Sequence, residues 1–192
     1  MNVMTPSKPK ETTIVELKAK VESLEPFRQK LDEMSAERMG TFRQIDTYYE
    51  VPAGRLKLRE TDGEDVVQLV YYERPDVEGP KQSRVFVAEL PKPQFTKQFL
   101  SSVLRVKTVV DKQRTIYRLK GTQVHLDKVE GLGTYVEFER PSEDMPQATR
   151  RARETLEKLM RTLGIKPNML EKGSYSDLLA EQATNKELET GH

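Results

Sequence analysis

The stretches best able to do chemistry are GRLKLRE, with Arg55, Lys57 and Arg59 on alternate residues, and YVEFER, with Glu137 and Glu139 two apart. A strand repeats every two residues, so each charged set shares one face and the intervening apolar residues take the other. Like charges side by side repel, which makes sense only if a counter-charge is held there. Carboxylate oxygens suit a hard divalent cation, and Arg and Lys suit phosphate oxygens. An acidic face opposite a basic one therefore fits a metal-bound polyphosphate.

Other segments repeat the pattern. Glu16, Lys18 and Lys20 share a face of VELKAKV, Lys112 and Arg114 a face of VDKQRTI, and His125 and Asp127 a face of VHLDKV. The plainer reading is the wet side of an antiparallel sheet. Sorting of charge by sign from strand to strand favours the other: in a closed barrel these faces line one cavity and helices cover the apolar exterior. His125 reads as a hydrogen-bonded strand histidine, with metal ligand or proton carrier as alternatives. Tyr48, Tyr49, Tyr71 and Tyr72 read as packing residues, with base stacking the alternative. Glu73 and Arg74 belong either to the cavity or to a cross-strand pair.

About eight strands position these residues. VELKAKV alternates strictly, and TFRQIDTYYEV and RLKLRET follow around a turn at Pro52–Gly54. An Asp62–Gly63 turn leads to DVVQLVYYER, and Pro75, Gly79 and Pro80 break the chain before SRVFVAEL. VKTVVDKQRTIYRL, a Lys120–Gly121 turn, TQVHLDKVEGL and TYVEFER complete the set. Helices are expected after the first strand (Leu24, Phe27, Leu31 and Met34, with Ser23 as N-cap), after the fifth (QFTKQFLSSVL) and after the last. In that last helix, 145–163, Ala152, Leu156, Leu159, Met160 and Leu163 form one stripe, Arg and Glu pair at i, i+4 outside, and Gly164 stops it. A short SYSDLLAEQ helix follows. The organisation is α+β, antiparallel, with a flexible tail over 1–12, one domain over 13–182 and a flexible tail over 183–192.

Composition narrows the class. The chain has 192 residues, enough for one domain with a substantial core; 35% are hydrophobic and 33% charged, so much charge must be placed on the surface or in a polar cavity. A net charge of +1 argues against a nucleic-acid partner. With no cysteine there is neither a disulfide framework nor a thiolate metal site, which fits a cytoplasmic protein. No run is long enough to span a membrane, and MNVMTPSKPKE lacks the apolar core of a signal peptide.

VELKAK, RQIDTYYEVPAGRLKLRE, LVYYERPD and HLDKVEGLGTYVEFE, in that order, resemble the CYTH superfamily of triphosphate tunnel metalloenzymes, over roughly residues 13–179. The strings look closest to the bacterial class IV adenylyl cyclase-like branch. The resemblance implies a closed eight-stranded antiparallel barrel with a charged lumen, Mg²⁺ or Mn²⁺ as cofactor, and a small triphosphate substrate: ATP, tripolyphosphate or thiamine triphosphate. It also allows a homodimer. Carried over by position, Glu16, Glu137, Glu139 and Asp127 resemble the metal-binding acids. Lys18, Lys20, Arg55, Lys57, Arg59, Lys112 and Arg114 resemble the triphosphate-binding cations, and Lys172 a C-terminal lysine that closes over the substrate. Lys18, Arg59, Arg114 and Asp127 take the catalytic roles.

One position departs from the pattern. The first acid of the family's Glu-x-Glu-x-Lys signature falls at Ile14, and Glu11, at an odd offset of three, lies on the opposite face. The resemblance thus implies a cyclase that turns ATP into cyclic AMP and pyrophosphate. Inorganic or thiamine triphosphatase is the near alternative, and a non-catalytic polyphosphate- or nucleotide-binding module is the reading that Ile14 favours.

Overall fold

A computed structural model describes residues 9–91 and 93–190. Eight strands alternate apolar and polar residues along most of their length, so the sheet they form has one face to cover and one face full of charge. They solve both demands by closing: β1 (Lys10–Val21), β2 (Glu37–Tyr49), β3 (Arg55–Thr61), β4 (Val66–Glu73), β5 (Lys81–Pro91), β6 (Val106–Leu119), β7 (Thr122–Val129) and β8 (Gly133–Ser142) make an antiparallel barrel in the order β1-β5-β4-β3-β2-β6-β7-β8. Every strand edge is paired. The α+β closed barrel expected from the sequence is the fold observed.

The apolar faces point outward and are covered. Helix α3 (Pro146–Leu163) lays Ala152, Leu156, Leu159, Met160 and Leu163 over Val15, Leu17, Ala19, Val124, Leu126, Val136 and Phe138, and α1 (Glu25–Glu33) adds Phe27 and Leu31. This is the stripe read from the sequence, and Gly164 ends the helix in the left-handed region at φ 80°. Helix α2 (Pro93–Val103) covers Leu58 and Val67 with Leu100. The helices follow the first, fifth and last strands, as expected.

Two turns need their residue types. Lys120 and Gly121 both take positive φ (47° and 78°), the signature of a type I′ hairpin, which joins β6 to β7. At Gly54 (φ 66°) an added Cβ would stand 2.6 Å from the Tyr71 hydroxyl.

Boundaries differ from the sequence reading in three places. β1 starts at Lys10 and so takes in the end of the expected N-terminal tail, of which residues 1–8 lie outside the described residues. Ser23 receives the Glu25 amide at 3.3 Å, but the N-cap position is Leu24. Helix α4 (Tyr175–Thr190) carries the SYSDLLAEQ helix onward through most of the segment expected as a C-terminal tail. Among the described residues no helix is long and apolar enough to cross a membrane.

Candidate active site

The strand register decides which charges meet. Lys18 pairs with Glu137 and Glu16 with Glu139 across β1 and β8, Arg114 with Asp127 across β6 and β7, and Asp46 with Arg59 across β2 and β3. All face the lumen, where a cavity of about 190 Å³ is lined by both signs of charge. It adjoins a wider chamber of about 880 Å³ toward the other mouth, bordered by Ile14, Val85, Val87, Gln123 and Glu139. Of the expected cations, Lys18, Lys57, Arg59, Lys112 and Arg114 line the narrow cavity together, as do Glu16, Glu137 and Glu139.

The basic wall is organised by Asp46, which the sequence reading passed over. Its carboxylate, 1% exposed, receives Lys57 at 3.1 Å, Arg59 at 2.7 and 2.8 Å, and Lys112 at 2.6 Å. Burial alone would raise its pKa, but Arg59, Lys112 and Lys57 outweigh burial and hold it well below the usual carboxylate range. The lysines feel the opposite. Burial pushes Lys57 down to about 8 and Lys112 to about 7. Three cations around one acid leave a surplus of positive charge at the cavity wall.

The acidic wall is built differently. Glu137 accepts from Arg114 Nη2 at 2.5 Å and lies 3.8 Å from Lys18 Nζ, and these cations, against the effect of burial, hold it well below the ordinary range. Burial dominates at Glu16 and raises it, with Glu137 and Glu139 adding to the rise, although Arg74 pairs directly with its carboxylate. Arg74, on the segment after β4, belongs to the lumen, which settles the alternative left open for it; two of its buried nitrogens have no partner. Both oxygens of Asp127 are taken, by Arg114 at 2.8 and 2.6 Å and by the Tyr175 hydroxyl at 2.7 Å, and the same Arg114 nitrogen links it to Glu137. Ile14 does face the lumen, and Glu11 is outside, paired with Arg84 at 2.6 Å.

The donor set fits a hard divalent cation. Among the described residues one trio of candidate ligands has its ligand atoms within 4.8 Å of one another: His125, Glu137 and Glu139. Glu16 reaches the same region from the neighbouring strand β1, as the cross-strand partner of Glu139.

Three expected binding residues stand elsewhere. Lys20 shares the face of Lys18 but is exposed at the barrel end, with Nζ 6.0 Å from the Tyr135 ring. Arg55, at the same end, joins Asp177 at 2.8 Å and Asp76 at 2.7 Å. Lys172 lies on the surface, 3.2 Å from Glu78.

That end is occupied by the start of α4. Tyr175 is buried over the Lys18 ammonium, 3.8 Å from the ring centroid. The segment before it is tied down by Lys81, fully buried, which donates to the carbonyls of Val77, Glu171 and Lys172 at 3.0, 3.1 and 2.8 Å. Lys81 gave no sequence signal, since it stands alone beside Pro80 with no charged partner two residues away. Tyr48 and Tyr72 line the cavity, whereas Tyr49 packs in the outer core and Tyr71 bonds Glu73 at 2.7 Å.

Known proteins give the same outline. The CYTH domain model matches residues 13–175. The PH1012 protein of Pyrococcus horikoshii superposes with a TM-score of 0.73 at 24% identity, covering 86% of this chain and 98% of its own. A Vibrio parahaemolyticus protein described as a "putative adenylate cyclase" gives 0.75 at 23% identity, covering 89% and 99%. A "putative adenylyl cyclase" of Hippeastrum, described as having a dominant triphosphatase activity, gives 0.60 at 18%, covering 90% and 96%. At these identities the likeness is one of fold. No curated protein matches the sequence.

Proposed function

This chain belongs to the CYTH domain family, whose members are metal-dependent and act on triphosphates, and on that premise we propose that it converts ATP to cyclic AMP and pyrophosphate. One observation carries the reading: Lys57, Arg59 and Lys112 share a single cavity with Glu16, Glu137 and Glu139, and Arg114 lies between the two sets, bonded to Glu137. A cavity of about 190 Å³ is smaller than the roughly 300–1,000 Å³ of sites for drug-sized ligands. It holds the phosphate chain, and the adjoining chamber, with Ile14, Val85 and Val87 on its border, has room for a nucleoside.

In this reading the basic wall grips the phosphates and Asp46 keeps the cations gathered until they arrive. Arg74, with two unpartnered nitrogens, adds a further phosphate ligand. Glu16, Glu137 and Glu139 would hold Mg²⁺ or Mn²⁺, and the bound ion would supply charge neutralisation at the phosphate oxygens and a lowered pKa for the attacking group. Lys18 and Arg114, beside Glu137, offset charge that develops on the reacting phosphorus oxygens, and Asp127 fixes the angle of the Arg114 fork. Positioning supplies most of the acceleration. Attack by the ribose 3′-hydroxyl on the α-phosphorus, with pyrophosphate leaving, gives the cyclase. Attack by water on the terminal phosphorus gives a triphosphatase.

The test is a substrate panel of ATP, thiamine triphosphate and tripolyphosphate with Mg²⁺ or Mn²⁺, scored for cyclic AMP, pyrophosphate and phosphate. Cyclic AMP with equimolar pyrophosphate is expected. Phosphate release alone would make the protein a triphosphatase, in keeping with the activity described for the Hippeastrum neighbour. Tight ATP binding with no product would make it a binding module, the reading that Ile14 in the lumen favours.

A further inference from the structure

His125 sits on β7 opposite Glu137 and is 2% exposed. Its Nε2 is 3.1 Å from Gln123 Oε1, an atom that can only accept, so Nε2–H donates there and in the neutral ring Nδ1 presents the lone pair. That lone pair is buried, has no hydrogen-bond partner, and points between Glu137 Oε2 and Glu139 Oε1, each 3.8 Å away. Two carboxylates facing that nitrogen call for a positive charge among the three, and ligand atoms that lie within 4.8 Å of one another have the spacing of a metal site. Gln123 meanwhile does what an outer partner of a ligating histidine does: it fixes the tautomer and the ring orientation.

We propose that His125 ligates the divalent ion through Nδ1, supplying the donor that Ile14 withholds and turning an all-carboxylate site into a mixed nitrogen–oxygen one. The proposal rests on the reading of the acidic wall as a metal site. Replacing an anionic oxygen by a neutral nitrogen lowers the charge of the shell and shifts preference from Mg²⁺, which demands oxygen, toward a first-row transition ion such as Mn²⁺.

Electron spin echo modulation of the Mn²⁺-loaded protein reads this directly. In a His192→Ala background His125 is the only imidazole, and a ¹⁴N imidazole coupling to Mn²⁺ is expected. His125→Phe, which keeps a ring and removes the lone pair, should abolish the coupling and weaken Mn²⁺ binding at least about tenfold. His125→Asn, with an oxygen near the Nδ1 position, should recover part of the affinity. Mn²⁺ that binds without nitrogen coupling, yet is lost in Glu137→Gln, would overturn the role of His125 and leave the metal site standing. Mn²⁺ binding that is absent, or indifferent to Glu137→Gln, would overturn both.

Discussion

Around Asp46 three cations share one carboxylate, whereas around Glu137 three acids are met by Arg114, Lys18 and Arg74 arriving from other elements, with one imidazole nitrogen, His125 Nδ1, left without a hydrogen bond. Both walls bury charge, and each leaves a different thing undone. The basic wall has more positive charge than its single acid can match, so it is complete only with a polyanion. The acidic wall is nearly neutralised by its neighbours and is open at one point, between His125, Glu137 and Glu139. A site that must take an anion and a cation together thus divides the tasks between opposite sides of one barrel, and the register of eight strands keeps them apart.

The comparison can be broken most forcefully at Asp46. Asp46→Asn takes the shared carboxylate from buried Lys112 and from the partly buried Lys57 and Arg59, so urea denaturation should show a loss of about 3–5 kcal/mol, since an uncompensated buried charge is the penalty. Saturating tripolyphosphate should restore more stability to this variant than it adds to the parent. Unchanged stability would mean that the basic wall does not depend on its acid.

Next in size, Arg59→Ala and Glu137→Gln should each lower kcat/KM for the triphosphate substrate about 10²–10³-fold. They should differ in remedy. Excess Mn²⁺ should recover part of the activity of Glu137→Gln and none of that of Arg59→Ala. Identical responses would erase the distinction between the walls.

The pH dependence of binding sharpens it further. In the free protein Lys112 lies at about 7 and Lys57 at about 8, because burial disfavours their charged forms. A bound triphosphate favours the ammonium and raises both, so binding takes up protons. Affinity should therefore stay level below about pH 7 and fall above it, by up to about tenfold per pH unit for each lysine. Calorimetry in buffers of different ionisation enthalpy would detect the uptake, and an affinity that rises from pH 7 to 9 would contradict the lysine assignment.

The smallest effect belongs to the end of the tunnel. Tyr175→Phe removes the 2.7 Å bond to Asp127 while Arg114 keeps its own two bonds, so thermal unfolding should register a loss of about 1.5 kcal/mol. No loss would mean that Tyr175 is held by packing alone.

Much of this was legible in the chain because alternation states which face a residue takes. GRLKLRE and YVEFER announced the two walls, the helix stripe from Ala152 to Leu163 announced what covers the outside, and the ordered motifs announced the closed barrel. Alternation does not state depth along the barrel. Lys18 and Lys20 share a face, as do Lys57 and Arg55, but strand tilt carries Lys20 and Arg55 to the end where α4 sits, and there Asp177 takes Arg55. Asp46 was hidden for another reason: it is a lone acid in QIDTYY, and its value appears only when β3 and β6 deliver three cations to it. Arg74 continues the face of Val70 and Tyr72, which is why the cavity was one of its two readings, whereas Lys81 and Tyr175 come from segments outside the alternating pattern, so no periodicity could mark them.

The most direct measurement is a crystal structure with Mn²⁺ and tripolyphosphate, using the anomalous signal of manganese. The account predicts a manganese peak at Glu137 and Glu139 with phosphate density against Arg59 and Lys112 in the same lumen. Manganese and phosphate bound on the outer surface, with the lumen holding only water, would contradict it.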